Sequence, residues 1–421
     1  MRRLITRLPI VDRYENVYGY ELVSRPAAEE VWPLNAAGAG DDLPSSAPTF
    51  AQIDEITDGA HAFIKCTRDA LITGRALELP RGHVILEVFS TGKPDGDMFQ
   101  ACRGLKNAGF PIALANFHGA WEEPLADIAD IIKLDVTACS DRTQWLLMKK
   151  HRSRGAVFVA EKVDKRPQFQ AAVQQGFSYF QGQFYCRPQP FATTEVSPTK
   201  LVYLLVLAAV TRPEINMQEV ANTIKHDLAL SYQLLRFLNS ARFAFHSRIK
   251  SIRHALLLLG QDELRKWIGM VSVAALGEGG PPILVKTALI RAAFCEALAL
   301  LVGGASKRQT DYFFLGLLSC IDVLMRRPMR VLLTELPIAP DVGAALMGEE
   351  NTLCQFLKMV MSYETGNWEE CSQLAKKLGL RDETLGELYL QALHWSHELA
   401  QEGKTEPVEA TGALVGSPTA L

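Results

Sequence analysis

The residues that decide which chemistry this chain can perform lie at the end of a short apolar stretch, Pro111–Gly119. Its mostly apolar start, followed by small and polar residues, predicts a buried parallel strand that runs out into a loop, with Ala115, Asn116 and His118 near its carboxyl end. In α/β sheets and barrels, the carboxyl ends of the strands carry ligands and catalytic groups. A hydrolytic metal site there needs oxygen ligands, most often Asp or Glu. A methyl group, an amide and an imidazole do not supply such a set.

Length and composition limit the class of protein. A chain of 421 residues is too long for one ordinary core, so we expect two domains. The 48% hydrophobic and 22% charged residues are typical of a globular protein. The net charge of −3 predicts no general attraction to nucleic acid or to an anionic membrane. The longest apolar run, Leu201–Val210, has about half of the ~20 residues that a membrane span needs, and we expect no signal peptide.

Eight cysteines are scattered along the chain without a CxxC pair or a Cys/His cluster. This spacing predicts neither a disulfide framework nor a zinc site, but reduced thiols in a cytoplasmic protein. The sequence also lacks a Gly-x-Ser-x-Gly motif and a Gly-rich phosphate loop. We therefore expect no cofactor.

Strand and helix patterns alternate in the first half of the chain, over residues 1–190. The predicted strands are Leu8–Asp12, Tyr18–Leu22, Ala62–Thr67, His83–Phe89, Ile112–Phe117, Ile131–Val136, Val157–Val163 and Tyr179–Phe184. Alternation of this kind predicts parallel βαβ units, and about eight strands in one domain predict a closed (β/α) barrel. The Ala-, Gly- and Pro-containing stretch Pro33–Pro48 is a predicted loop insertion.

Helical periodicity replaces the strand signals after a predicted linker at residues 191–199. The predicted helices are Lys200–Thr211, Met217–His226, Leu230–Asn239, Ile252–Leu259, Glu263–Leu276, Val285–Val302, Asp311–Met325, Leu353–Tyr363, Trp368–Lys377 and Thr384–Gln401. Asn216 and Gly260 stand at helix-capping positions. Residues 200–402 therefore form a predicted all-α domain, and the composition of residues 403–421 predicts a disordered tail.

Several segments of the first half, taken in order, resemble the EAL domain, a TIM-like barrel phosphodiesterase of cyclic di-GMP. One of them carries Glu-Leu-Val where the family has Glu-Ala-Leu, and the last ones resemble its closing Gln-Gly and Arg-Pro. The segments are Tyr18–Arg25, Phe63–Lys65, Leu86–Val88, Ile112–Gly119, Ile132–Asp135, Ala160–Asp164, Phe180–Phe184 and Arg187–Pro188. Each segment is weak alone, but their order and spacing make the resemblance specific.

The resemblance implies a site for two divalent metals, held by the signature Glu, an Asn, a strand Glu and an Asp pair. Glu21 and Glu87 stand at matching positions. The Asn position is Lys65, and the Asp pair is Ala115 and Asn116. A two-metal site holds its cations between shared anionic ligands. Loss of both aspartates and gain of an ammonium group therefore predict a site without metal and without catalysis.

Further residues resemble the family's site without completing it. Lys133 resembles the family's catalytic Lys, and Glu161 is also present. The predicted vestigial site consists of Glu21, Lys65, Glu87, Ala115, Asn116, Lys133, Asp135, Glu161 and Gln181. We expect Lys65 to act as an internal counter-ion for the retained glutamates, with a solvent-facing side chain as the alternative.

Nucleotide binding without metal stays open. Arg25 resembles the residue that contacts a phosphate in the family, a role that suits the fork of donors on a guanidinium. Lys133 and Gln181 could assist it in holding cyclic di-GMP. The alternative is that these three residues are salt-bridge or hydrogen-bond partners at the barrel mouth.

The second half resembles the HDOD domain, a helical relative of the HD metal phosphohydrolases that lacks their ligands. The matching segments are Met217–Ala241, with Ile224–Ser231 as its motif, Ser251–Ala255 and Leu258–Gly260. His226-Asp227 spells the dyad, but it falls in an ordinary turn of the family. The position that resembles the true dyad is Ser319-Cys320. A metal site needs several converging ligands, so we expect none here.

Both halves thus resemble metal-dependent phosphohydrolase folds that have lost their ligands. We interpret the chain as a non-catalytic bacterial signal-transduction regulator that acts through protein contacts, in processes such as motility and biofilm formation. The protein partner is unidentified, and a homodimer stays open. Two alternatives remain: a metal-free cyclic di-GMP receptor and an active cyclic di-GMP phosphodiesterase.

Overall fold

Eight strands follow one another in the first half of the chain and close into a barrel in the order β1 to β8. They are β1 Ile5–Asp12, β2 Val17–Ser24, β3 His61–Cys66, β4 Val84–Phe89, β5 Ile112–Ala115, β6 Ile131–Asp135, β7 Val157–Glu161 and β8 Tyr179–Gln181. The barrel helices are α1 Phe50–Thr57, α2 Arg68–Ile72, α3 Gly96–Asn107, α4 Glu123–Ala126, α5 Asp141–Arg152 and α6 Arg166–Gln175. The predicted barrel is confirmed.

The computed structural model describes residues 4–24, 50–89, 96–115, 117, 123–138, 140–188, 197–212, 215–226, 231, 252–302 and 308–404. Some predictions lie outside these residues. They are Arg25, Asn116, His118, Asp227, the insertion 33–48, most of the predicted helix 230–239, residues 191–196 of the linker and residues 405–421 of the tail.

The first strand departs from the predicted parallel arrangement. β1 pairs antiparallel with both β2 and β8, whereas the other neighbouring strands run parallel. Only Arg13–Asn16 connect β1 to β2. This connection is a hairpin, since parallel neighbours need a crossover of about a dozen residues or more. The prediction of parallel units throughout is therefore wrong for β1.

Two layers of side chains fill the inside of the barrel. The lower layer is apolar and consists of Ile10, Phe63, Ile85, Ala113, Ile131 and Val159. Residues two positions apart on a strand point to the same face. Lys65, Glu87, Ala115, Lys133 and Glu161 each follow an apolar member of that layer by two positions, so they form the next layer, at the carboxyl ends of the strands.

The described part of the second half contains helices only. They are α7 Pro198–Thr211, α8 Met217–His226, α9 Ile252–Leu276, α10 Pro282–Ala299, α11 Gln309–Leu318, α12 Ile321–Met325, α13 Met329–Glu335, α14 Pro340–Leu346, α15 Thr352–Glu364, α16 Trp368–Lys377 and α17 Asp382–Lys404. Within the described residues, no helix combines the length and the apolar character that crossing a membrane would require.

Several helix boundaries differ from the predicted ones. α7 begins at Pro198, inside the predicted linker, because Ser197 Oγ caps its N-terminus. The helix end predicted after Leu259 is present as a kink inside α9, because Gly260 has a non-helical backbone with φ 78°. The predicted helix Asp311–Met325 is broken at Ser319-Cys320, and α17 extends to Lys404. The short helices α13 and α14 were missed, because one or two turns give no clear periodicity.

Strand β1 also contacts the helical domain. The Tyr363 hydroxyl of α15 donates to the backbone oxygen of Ile5 at 2.9 Å, and the Thr6 hydroxyl donates to the backbone oxygen of Glu364 at 3.2 Å. These bonds tie strand β1 to the end of α15.

A second contact between the halves is ionic. Asp58, in the turn after α1, pairs with Arg7 of β1 at 2.5 Å and with Lys286 of α10. His397 Nδ1 of α17 lies 2.8 Å from the same carboxylate. One carboxylate of the barrel therefore gathers basic groups from both halves of the chain.

Candidate functional site at the barrel mouth

The strands bring the predicted site residues together at one end of the barrel. Glu21 lies two positions after Gly19, where a Cβ atom would stand 2.7 Å from the backbone oxygen of His61. Glycine therefore permits the close approach of β2 to β3. In the register of the sheet, Lys65 of β3 lies beside Glu87 of β4. The inward orientation of these side chains follows from the alternation of side chains along each strand.

Lys133 lies at the centre of the site. Its ammonium group contacts Glu21 at 2.6 Å, Glu161 at 2.9 Å and Glu87 at 3.0 Å. The Lys133 side chain is 0% exposed. One buried ammonium group thus bridges three carboxylates that come from three different strands.

Two further donors contact Glu21. Lys65 Nζ lies 2.7 Å from Glu21 Oε1, so Lys65 pairs with one of the glutamates that was expected to attract it. Gln181 Nε2 donates to Glu21 Oε2 at 2.8 Å. The Lys65 side chain is 34% exposed, whereas that of Glu21 is 5% exposed. Lys65 therefore closes the solvent side of the cluster.

The pKa values of Glu21 and Glu87 are shifted in opposite directions. Burial opposes ionisation of Glu21, but the charges of Lys133 and Lys65 hold its pKa well below the ordinary carboxyl range. Burial and repulsion by Glu21 raise the pKa of Glu87 to about 7, against the pull of Lys133. Two like charges this close cannot both ionise freely, so Glu87 holds its proton longer.

The carboxylates of the cluster also shift the pKa values of the two lysines. Burial favours the neutral form of Lys133, but Glu161, Glu21 and Glu87 raise its pKa well above the ordinary value. The pKa of Lys65 is also raised, against burial, by Glu21 and Glu87. Both ammonium groups are therefore charged at neutral pH.

Two predicted site residues, Asp135 and Ala115, make no ionic contact with this cluster. Asp135 pairs with Lys162 at 2.6 Å and accepts two hydrogen bonds from Thr137, which together lower its pKa against burial. Ala115 ends β5 as a buried methyl group, 3% exposed. The structure therefore brings Glu21, Lys65, Glu87, Lys133, Glu161 and Gln181 together, and leaves Asp135 and Ala115 without ionic contact to them.

The oxygen ligands available in this cluster determine whether it could hold a pair of divalent ions. Glu21, Glu87 and Glu161 are the described carboxylates that come together, with one oxygen of each within 4.8 Å of the others. Lys133 and Lys65 already neutralise two of these three charges. Two divalent ions would meet at most one uncompensated carboxylate. The described residues therefore do not fit a two-metal centre.

Two buried oxygens in this site have no hydrogen-bond partner, namely Glu87 Oε1 and Gln181 Oε1. Unpaired buried oxygens of this kind are costly. They are the positions at which a donor could still be added to the cluster.

In the helical domain, the position that resembles the HD dyad lies between α11 and α12. Arg291 Nη1 lies 3.1 Å from both Ser319 Oγ and Cys320 Sγ. Arg291 in turn pairs with Glu364 at 2.8 Å. At the position of the family's metal-binding dyad, the structure therefore has a hydroxyl and a thiol that contact an arginine. The role of Arg291 was missed, because the contact joins residues that are distant in sequence.

Comparisons with known proteins agree with this architecture. A family model for the HDOD domain matches residues 197–331. The uncharacterized protein YuxH of Bacillus subtilis is 32% identical over 409 residues, which cover 95% of this chain and 99% of YuxH. The chain belongs to the EAL–HDOD family. A further relative of this EAL–HDOD protein, named cyclic di-GMP phosphodiesterase CdgJ, of Vibrio cholerae, is 28% identical over 408 residues, 94% of this chain and 92% of CdgJ.

Solved structures also match the EAL–HDOD chain. The Bacillus subtilis YkuI protein with an EAL domain is 16% identical, with a TM-score of 0.33, and the match covers 62% of this chain and 72% of YkuI. An EAL domain protein from Listeria monocytogenes is 17% identical, with a TM-score of 0.33, and the match covers 45% of this chain and 89% of that one.

Proposed function

We propose that this protein is a non-catalytic regulator in cyclic di-GMP signalling and that it acts through contacts with other proteins. One observation carries the proposal: Lys65, at the position of the family's Asn ligand, places an ammonium group 2.7 Å from Glu21, where a metal-dependent barrel would hold an ion. The methyl group of Ala115 at the end of β5 adds no ligand. Membership of the EAL–HDOD family supports the signalling context.

The chemistry of the donor set argues against hydrolysis. Attack on a phosphodiester by water at neutral pH needs a group that makes the water nucleophilic. Glu87 and Glu161 are the carboxylates nearest to such a role, but Lys133 contacts both of them at 3.0 Å or less. Lys133 Nζ therefore already engages one oxygen of each of these carboxylates, which leaves less room for a water to be held there.

The decisive assay uses the full-length protein with cyclic di-GMP and either Mg²⁺ or Mn²⁺. We expect no linear dinucleotide above the level of the Glu21→Ala variant, and CdgJ serves as a reference because its name records this activity. Linear product that Glu21→Ala abolishes would refute the proposal.

A second candidate is an active cyclic di-GMP phosphodiesterase. Two observations favour it, the convergence of Glu21, Glu87 and Glu161 within 4.8 Å and the similarity to CdgJ. Calorimetry with Mn²⁺ separates the two candidates without relying on turnover. Heat of binding that is lost in both Glu21→Gln and Glu87→Gln would support the enzyme, and no heat supports the regulator.

A metal-free cyclic di-GMP receptor is the remaining alternative. Gln181 Oε1 is a buried acceptor without a partner, which favours an incoming donor. In contrast, the donors of Lys133 and Gln181 are already engaged by Glu21. Calorimetry in EDTA decides this point, because cyclic di-GMP binding that Arg25→Ala weakens would make the protein a receptor.

The mode of action has its own test. If the protein regulates motility or biofilm formation through contacts, a pull-down from the native cell recovers the same partner with wild type and with Glu21→Gln. Repeating the pull-down with cyclic di-GMP present distinguishes a constitutive contact from one that the nucleotide controls. Capture of no partner under either condition would contradict this mode of action.

A further inference from the structure

A small cavity lies where the outer face of the barrel meets the helical domain. Its volume is about 30 Å³. Arg7 of β1 and Tyr20 of β2 line it from the barrel. Thr287 of α10, Glu364 of α15 and Tyr389 of α17 line it from the helical domain. Each half of the chain therefore supplies part of the cavity wall.

Strand geometry brings the two barrel residues together. Tyr20 lies opposite Pro9 in the antiparallel pair of β1 and β2, and Arg7 shares the face of Pro9 because it is two positions away. The guanidinium carbon of Arg7 lies 4.3 Å from the centre of the Tyr20 ring. Arg7 is 5% exposed and Tyr20 is 2% exposed. The ring therefore orients a buried guanidinium at the cavity wall.

One end of this guanidinium is engaged and the other is not. Arg7 Nη1 donates to the backbone oxygen of Ile56 and pairs with Asp58 at 2.5 Å. Among the residues that the structure describes, Arg7 Nη2 and the Tyr20 hydroxyl have no hydrogen-bond partner, although both atoms are buried. Burial raises the pKa of Tyr20 against the pull of Arg7, so the hydroxyl keeps its proton. Because a buried donor without an acceptor is costly, the cavity favours a ligand that accepts hydrogen bonds.

The charges around the cavity favour a negative ligand. Asp58 shares its carboxylate between Arg7 and Lys286, so it compensates the guanidinium only in part. The carboxylate that lines the cavity, Glu364, accepts from Arg291 Nε at 2.8 Å and 3.1 Å. Burial also raises the pKa of Glu364 against the pull of Arg291. The negative charge of Glu364 is therefore neutralised by its own partner, whereas the Nη2 end of Arg7 still faces the cavity without an acceptor.

We propose that this cavity binds one chloride ion between the barrel and the helical domain. The ion accepts hydrogen bonds from Arg7 Nη2 and from the Tyr20 hydroxyl, and it compensates the guanidinium charge that Asp58 leaves. Hydrogen bonds in which one partner is ionised are stronger than neutral ones. A water molecule accepts the same hydrogen bonds but leaves the charge in place. Since both halves of the chain line the cavity, the bound ion stabilises their contact.

The size of the cavity selects among anions. A space of ~10–15 Å³ is enough for one water molecule, so a cavity of about 30 Å³ has room for a single ion such as chloride. Sulfate, phosphate and the phosphates of a nucleotide are larger, because each carries several oxygen atoms around a central atom. The ligand is therefore a monatomic anion, and bromide can replace chloride in an experiment that locates it.

The first test measures thermal unfolding of the full-length protein while chloride replaces the bulky anion gluconate, at constant ionic strength so that screening does not change. From about 5 mM to about 200 mM chloride, we expect Tm to rise by about 2 °C, because the ion binds only the folded state. Tyr20→Phe keeps the ring beside Arg7 but removes one donor, so its rise should be less than about half of this. The matched control is Tyr312→Phe, a tyrosine of α11 that is 6% exposed and lies outside the cavity. It should keep the wild-type rise.

The second test locates the ion in the wild-type protein. A crystal grown in sodium bromide should show an anomalous peak within hydrogen-bonding distance of Arg7 Nη2 and the Tyr20 hydroxyl. A water molecule in place of that peak would overturn the proposal, and so would a Tm that is the same in chloride and gluconate or a chloride response that Tyr20→Phe leaves unchanged. A bromide peak without a chloride response in solution would mean binding at crystal concentration only, which also overturns it. None of these results bears on the barrel mouth, so the proposed function is tested separately.

Discussion

The barrel mouth and the cluster around Arg291 both contain buried charged groups that are neutralised by ion pairs. A lysine lies at the centre of the first cluster, and an arginine at the centre of the second. At the barrel mouth, three carboxylates surround the ammonium group of Lys133. In the helical domain, the cation Arg291 is shared between Glu364 and the thiol of Cys320. Each cluster is buried, and each stands at a position that resembles a phosphohydrolase site. In both of them, side chains of this chain compensate the buried charges.

The difference lies in what borders each cluster. The barrel mouth faces outward, since Lys65 at its rim is 34% exposed. The Arg291 cluster is covered by the barrel, because Thr6 of β1 donates a hydrogen bond to the backbone oxygen of Glu364, the partner of Arg291. The first cluster remains open to a ligand or partner, whereas the second has become part of the contact between the halves. The following predictions test this contrast, from the largest expected effect to the smallest.

Removing Lys133 should have the largest effect. Lys133→Met leaves Glu21, Glu87 and Glu161 without their common counter-ion, and we expect a loss of about 3–5 kcal/mol in the free energy of unfolding. Chemical denaturation measures it. The control is Lys162→Met, whose side chain is 64% exposed and pairs with Asp135. It should lose under about 1 kcal/mol, since pairs open to solvent contribute little. Equal losses in both variants would mean that the buried cluster is not held by Lys133.

Removing Arg291 should cost somewhat less, because it leaves one buried carboxylate instead of three. We expect Arg291→Met to lose about 2–4 kcal/mol in the free energy of unfolding. Adding Glu364→Gln removes the orphaned charge, so the double variant should be more stable than Arg291→Met alone. If Glu364→Gln destabilises both backgrounds equally, the two residues do not interact and the cluster is misassigned.

Lys65 provides the intermediate case. Its exposed side chain gains less from pairing than the buried Lys133, and Glu21 keeps Lys133 when Lys65 is lost. We expect Lys65→Met to lose about 1 kcal/mol in the free energy of unfolding, after allowance for solvent screening. A loss as large as that of Lys133→Met would place the main counter-ion at the rim rather than in the centre. Thermal denaturation of the two variants side by side decides between these outcomes.

The barrel and the pairing of Lys65 could be predicted from the sequence. Strand alternation puts residues two positions apart on one face, so Phe63 and Lys65, or Ile131 and Lys133, point into the same interior. Charge then predicts that Lys65 pairs with one of the retained glutamates, and the structure shows that this partner is Glu21. This part of the site depends on local periodicity and on strand order, which a sequence carries directly.

The contacts between the halves could not be predicted. Asp58, with φ 53°, lies in a turn after α1, and nothing near it in sequence indicates that Lys286 and His397 reach it. The same holds for Arg291, since only the packing of α10 against α11 brings it between Ser319 and Glu364. The antiparallel β1, in contrast, had a visible signal in the short connection Arg13–Asn16.

The titration of Glu87 gives the smallest effect and the finest test of the barrel cluster. Its folded-state pKa is raised to about 7 from an ordinary 4.5, by burial and by Glu21. Between these values the folded protein keeps a proton that the unfolded chain has released, so this residue makes stability fall as pH rises through that window. Glu87→Gln cannot titrate, and its stability relative to wild type should rise by about 1 kcal/mol from pH 5 to pH 6. A constant difference for Glu87→Gln would mean that Lys133 keeps Glu87 ionised, and the contrast with Glu21 would be lost.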